Sequence, residues 1–149
     1  MADAPQAAAA GAPDVNPRAY NSSPVAHTLG LTFTDVSRDR VAAELPASEK
    51  FANRKNILSG GVVMAVADIL GGTAASANLP SGAATTTIES KTNFFARVEL
   101  GDTVFAECTP LHRGRSTMVW QTRITRGDGK LVAMVTQTQL VMPGANNGE

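Results

Sequence analysis

Four groups of residues carry the chemistry this sequence offers. Ser59-Gly60-Gly61 opens a long apolar run, and Asp68 stands eight residues beyond Gly60. Asn53 precedes them in a polar stretch with Arg54, Lys55 and Asn56, and Arg113-Gly114-Arg115-Ser116 comes late in the chain. A helix starting at Ser59 would turn free N–H groups and its dipole toward an anion. Glycine at 60 and 61 leaves no side chain in the way, though the same glycines also allow a helix to press on a sheet. A carboxylate at Asp68, amid Val66, Ala67, Ile69 and Leu70, is costly to bury unless hydrogen-bonded or functional. It is either a nucleophile or general base for water, or a carboxylate satisfied by hydroxyl or backbone donors at a helix contact. Eight residues of helix rise about 12 Å. Asp68 therefore cannot act on a carbonyl held at the start of its own helix; if it acts there, it does so from another copy of the chain. Asn53 can donate its side-chain amide or simply form a turn. Arg113 and Arg115 flank a turn at Gly114, where their planar donor forks suit phosphate groups or are merely solvated.

Those residues need a scaffold, and 149 residues suit one domain. The hydrophobic fraction of 43% and charged fraction of 17% are those of an ordinary soluble globular protein. Thirteen basic and thirteen acidic residues cancel, so the basic excess of a nucleic-acid binder is missing. The single cysteine, Cys108, excludes an internal disulfide, and His27 and His112 lie 85 positions apart with no metal-ligand spacing. No metal is expected. Cys108 falls in an alternating apolar run and reads as a packed core residue in a reduced, cytoplasmic setting. The N-terminus lacks a basic segment followed by an apolar one, so no signal peptide is expected. No apolar run approaches the ~20 residues of a membrane span.

Residues 1–20, rich in Ala and Pro, read as a flexible tail, with a short docked helix near Pro17–Ser23 as a further option. The domain is expected over 21–143, with a second flexible tail over 144–149. Alternation predicts strands at Leu29–Val36 and Arg40–Leu45 with a turn at Ser37-Arg38-Asp39. Ala47–Leu58 reads as a loop. A buried helix begins at Ser59, a favoured N-cap, and ends near Asn78, Pro80 and Gly82. Gly71-Gly72 in its midst is unfavourable by about 1 kcal/mol per glycine, which close backbone approach to a sheet would explain. Four strands follow, Ala84–Val98, Asp102–Arg113, Ser116–Thr125 and Lys130–Met142; in the third, Met118, Trp120, Thr122 and Ile124 share one face. Two strands, one buried helix, then four strands make an α+β fold, an antiparallel sheet of about six strands around one long helix. Its open edges invite a second copy, as a dimer or a dimer of dimers.

The run Asn53 to Gly61 followed by Asp68 resembles the hotdog-fold acyl-CoA thioesterases of the phenylacetic-acid-pathway and 4-hydroxybenzoyl-CoA type. Asn53, Gly60, Gly61 and Asp68 match the family pattern in identity and spacing. Asn93-Phe94-Phe95-Ala96-Arg97 with Gly101-Asp102, His112 to Ser116, and Asp128 to Ala133 resemble its later strands and hairpins. The likeness covers roughly residues 25–142. Asn56 stands where the family has Gly, which Asn can replace in a left-handed turn. Ser59 stands where it has His. The resemblance implies hydrolysis of an acyl- or aryl-CoA thioester across a dimer interface, with no cofactor beyond the coenzyme A of the substrate. It implies an oxyanion hole at Gly60 and Gly61, Asn53 as a further donor, Asp68 as nucleophile or base, and Thr87 as the hydroxyl that orients water. Ser59, Arg113, Gly114, Arg115 and Ser116 fall at substrate-binding positions. The alternative is a non-catalytic acyl-CoA or small-ligand binder silenced by loss of the histidine.

Overall fold

The computed structural model describes residues 14–144. Residues 1–13 of the expected N-terminal tail and 145–149 of the C-terminal one lie outside the described residues. The elements run α1 (Pro24–Leu29), β1 (Thr32–Val36), β2 (Val41–Pro46), α2 (Gly60–Ala77), β3 (Ala84–Phe94), β4 (Thr103–Arg113), β5 (Thr117–Arg126) and β6 (Leu131–Met142). Single 3-10 turns occupy Pro17–Tyr20 and Glu49–Phe51. The six strands form one sheet in the order β1-β2-β4-β5-β6-β3, antiparallel at every pairing. This is the expected α+β arrangement of the hotdog fold, a six-stranded sheet curled around one helix.

Alternation makes the inner face of the sheet. Val104, Ala106 and Cys108 on β4, and Met118, Trp120, Thr122 and Ile124 on β5, all point inward and are buried. All of these but the polar Thr122 close on Val63, Val66, Ala67, Leu70 and Ala74 of α2 in a single apolar cluster. Alone among the described helices, α2 has the length and apolarity of a membrane span; here one side of it is the core of the sheet. Its other side, with Gly61, Met64 and Asp68, is exposed in the single chain. Asp68 is thus not the buried carboxylate that its apolar neighbours in sequence imply.

Three local differences have physical causes. Leu29 ends a helix instead of starting a strand: Ser23 accepts from Ala26 N–H at 3.3 Å, Pro24 occupies the first turn, and Gly30 closes it at φ 76°. At six residues, α1 is too short to show a period. β3 stops at Phe94 and not Val98, because the N–H groups of Phe95 and Ala96 both turn to the Val132 carbonyl (2.8 and 3.3 Å). Finally, residues 14–20 are docked, with the 3-10 turn inside the Pro17–Ser23 stretch. Val15 and Ala19 pack with Ala77, and Asn16 bonds the carbonyls of Ala77 (3.3 Å) and Leu79 (3.2 Å) at the C-terminal end of α2.

Candidate active site

The chain enters α2 through a tight loop. Antiparallel bridges Ala52↔Leu58 and Ile57↔Glu99 pin it, and Asn56 turns it at φ 55°, the one non-glycine residue with positive φ among those described. Asn53 carries two roles at once. Its side-chain oxygen accepts from Lys55 N–H at 2.8 Å, forming the turn, which leaves the side-chain NH2 to donate elsewhere. Ser59 takes the N-cap position in extended conformation, yet its hydroxyl makes no capping bond. Its carbonyl instead receives the N–H groups of Val62 (3.0 Å) and Val63 (3.3 Å). Among the described residues, nothing accepts from Gly60 or Gly61 N–H. A cavity of about 320 Å³ joins Asn53 and Gly60 with an apolar wall that includes Ile57, Val63, Phe94 and Phe95. A Cβ at Gly60 would lie 3.3 Å from the Phe94 ring, so glycine keeps that passage open. This end of α2 offers two unused backbone donors and one amide, a setting suited to an oxyanion.

Asp68 belongs to a different place. It lines a groove of about 430 Å³ with Thr87, Gly72, Thr73 and the N-terminal Arg18 and Ser22. Thr87 donates to Asp68 Oδ1 at 2.8 Å. A bulge in β3, where Thr87 pairs with Gln139 and Glu89 with Thr138, leaves Ile88 unpaired and resets the phase of the strand just beyond Thr87. Beneath the pair lie two buried amides that the sequence reading missed. Gln137 Nε2 reaches Asp68 Oδ1 (3.0 Å) and Thr87 Oγ1 (3.2 Å), and Gln139 Nε2 reaches Thr87 Oγ1 (2.8 Å). Thr85 shares its one hydroxyl proton between the Leu140 carbonyl (2.9 Å) and the Gln139 side-chain oxygen (3.1 Å). Of the neighbouring threonines, Thr87 alone contacts Asp68. Residues 136–139 read Thr-Gln-Thr-Gln; with both faces polar, alternation could not say which pair turns inward.

The basic hairpin forms a third region. Arg113 is committed within the chain, paired with Asp39 and donating to Asn78 Oδ1 at 3.3 Å. Arg115 is exposed and, among the described residues, makes no ion pair. With Ser116 it borders a cavity of about 500 Å³ near Gly82 and Ala83, where β3 begins. Gly114 is needed at the turn, since a Cβ there would sit 2.5 Å from His112 Nε2 and 2.8 Å from the Thr117 carbonyl. Cys108 is buried, and burial pushes its thiol up to about 11, with an opposing hydrogen bond from Thr122. It serves packing. Among the described residues, no group of three or more His, Cys, Asp or Glu side chains could hold a metal ion.

The profile of the thioesterase superfamily matches residues 55–133, which include the start of α2, Asp68 and Thr87. The chain belongs to the thioesterase superfamily. The 1,4-dihydroxy-2-naphthoyl-CoA thioesterase 2 of Arabidopsis thaliana is 28% identical to this thioesterase over 123 residues, covering 75% of this chain and 74% of the relative. A thioesterase of Haemophilus influenzae has a crystal structure that superposes with a TM-score of 0.77 at 27% identity, covering 90% of this chain and 92% of that one. The PaaI protein of the Escherichia coli phenylacetic acid degradation operon superposes with a TM-score of 0.79, covering 87% and 92%; at 22% identity it bears on the fold alone. The chain is a hotdog-fold hydrolase of thioesters, and the expected family, fold and enzyme class all hold.

Proposed function

We propose that this thioesterase hydrolyses acyl- or aryl-CoA in a site completed by two copies of the chain. One copy supplies Gly60, Gly61 and Asn53, and the other supplies Asp68 and Thr87. The observation that carries the reading is the division of the site: Gly60 at the start of α2 with Asn53 in one cavity, and the hydroxyl-braced carboxylate in another. An edge supports the union. Among the described residues β3 pairs only with β6, and its other side is open over eleven residues with Ile88 and Phe94 exposed. Two β3 edges meeting about a two-fold axis run antiparallel. The Phe94 end of one, against which Gly60 packs, then meets the Thr87 end of the other. Arg115 and Ser116, close to the start of β3, fall near the same composite site and suit the phosphates of coenzyme A.

In that site the Gly60 and Gly61 N–H groups and the Asn53 amide receive the thioester oxygen as it gains charge. Asp68, as general base, takes a proton from water while the hydroxide forms the new C–O bond. The C–S bond then breaks, and coenzyme A leaves as thiol with the proton returned. Alternatively Asp68 attacks as a nucleophile, the C–S bond breaks to release coenzyme A as a thiolate that takes up a proton, and water cleaves the resulting mixed anhydride to the free acid and the Asp68 carboxylate. Ser59 sits beside the donors, where its uncapped hydroxyl is free to meet the substrate. The test is turnover of an acyl-CoA panel, with aryl thioesters such as 1,4-dihydroxy-2-naphthoyl-CoA beside medium-chain ones, by wild type and Asp68→Asn. Wild type should turn over at least one member, and the variant should lose about 10²- to 10⁴-fold in kcat. Binding without turnover would favour the non-catalytic reading, and an active Asp68→Asn would remove Asp68 from the mechanism.

A further inference from the structure

We propose that Gln137 is the positioning residue of this site, holding the Asp68 carboxylate and the Thr87 hydroxyl in working geometry from beneath α2. The proposal rests on the reading of Asp68 as the acting carboxylate. Gln137 is only 1% exposed. Its Nε2 lies 3.0 Å from Asp68 Oδ1, 3.2 Å from Thr87 Oγ1 and 3.4 Å from the Asp68 main-chain carbonyl. With the amide reversed, its oxygen would face a carboxylate, so the donor end must point that way.

The consequences for protons are specific. Thr87 Oγ1 receives the Gln137 amide and, at 2.8 Å, the Gln139 amide. With donors on both lone pairs, its own proton is directed to Asp68 Oδ1, 2.8 Å away. Asp68 Oδ1 thereby accepts from Thr87 and Gln137, while among the described residues Oδ2 accepts no hydrogen bond. One carboxylate oxygen is anchored and the other is left for chemistry.

Seating this amide has visible costs. Gln137 Oε1 is buried, and among the described residues it has no hydrogen-bond partner. It lies against Gly71, where a Cβ would come within 2.5 Å of Oε1, 2.6 Å of Cδ and 2.8 Å of Nε2. The helix gives up a side chain there, although glycine is unfavourable in a helix interior. An orphaned buried carbonyl is likewise unfavourable, and an apolar side chain of the same length would leave none. The compensating gain is a fixed Asp68.

Gln137→Met keeps the length and removes the donor. Its kcat should fall by about 10- to 100-fold, the effect of a displaced catalytic group, with KM within about two-fold because Gln137 does not touch substrate. In an Asp68→Asn background the same change should cause no further fall. Unchanged kcat, or an equal loss in both backgrounds, would overturn the proposal. An active Asp68→Asn would instead sink the Asp68 reading. A crystal structure of Gln137→Met gives a readout independent of turnover. The Thr87–Asp68 contact, 2.8 Å in the wild type, should be lost, and its survival would also overturn the positioning role.

Discussion

Gly71 and Gly72 are adjacent in α2, yet alanine at the two positions should act in opposite directions. Alanine improves helix propensity by about 1 kcal/mol over glycine at either site. At Gly72 the new Cβ meets nothing within 4 Å, so the gain should appear nearly whole, about 0.5–1 kcal/mol. At Gly71 the same atom lies 2.5–2.8 Å from three atoms of Gln137, a side chain 1% exposed with no room to retreat. Overpacking a core costs about 1–3 kcal/mol, and each displaced hydrogen bond of Gln137 about 1 kcal/mol more. Gly71→Ala should therefore be destabilised by a net of about 1–4 kcal/mol. Urea unfolding followed by far-UV circular dichroism, at fixed protein concentration, reads both variants. In a Gln137→Ala background the Gly71→Ala penalty should shrink or reverse, a coupling that a double-mutant cycle measures directly. Equal shifts of the same sign at the two glycines, or a penalty indifferent to Gln137, would refute the packing of Gln137 against α2.

Two further predictions concern groups outside the site. Because burial pushes the Cys108 thiol up to about 11, native protein at pH 8 should resist iodoacetamide and react only once unfolded; labelling of the native protein at the rate of a free thiol would contradict this. Asp128 is held down at about 2 by the Arg126 guanidinium and the Lys130 N–H. Its stabilising contribution is complete above the ordinary carboxylate value and is lost as pH falls toward 2. Asp128→Asn should therefore flatten the pH dependence of unfolding between about pH 4 and pH 2; a curve with wild-type slope in that window would show the pair to be inconsequential.

Much of this architecture was legible because its signals are long or repeated. α2 announces itself by a favoured cap and eighteen helical residues, and the inward face of β5 by strict alternation from Met118 to Ile124. Cys108 falls on the inward phase of β4, and Asn56 adopts the left-handed turn expected of it. The glycine pair was legible only in part: Gly71 marks a close approach, whereas Gly72 opens onto the Asp68 groove. The polar floor of the site was hidden because Thr136 to Gln139 are polar on both faces. Three successive threonines, followed by a bulge at Ile88, likewise hid which one faces the carboxylate. Asp68 looked buried because its sequence neighbours are apolar, but its face of α2 is the one the sheet leaves uncovered.

Subunit complementation tests the composite site most directly. Gly60→Pro deletes one N–H donor at the first helical position, where proline suits the backbone, and its ring also crowds the Phe94 side of the same half-site, which a Cβ there would approach to 3.3 Å. Ser59, at φ −63° and ψ 134°, already has the extended conformation a residue before proline requires. Gly60→Pro and Asp68→Asn should each abolish most turnover when alone. Refolded together in equal amounts, they should recover about a quarter of wild-type activity, since about half the two-fold dimers are mixed and each mixed dimer has one intact site. If Gly60 and Asp68 served a site within one chain, mixing would restore nothing, and the account would fail.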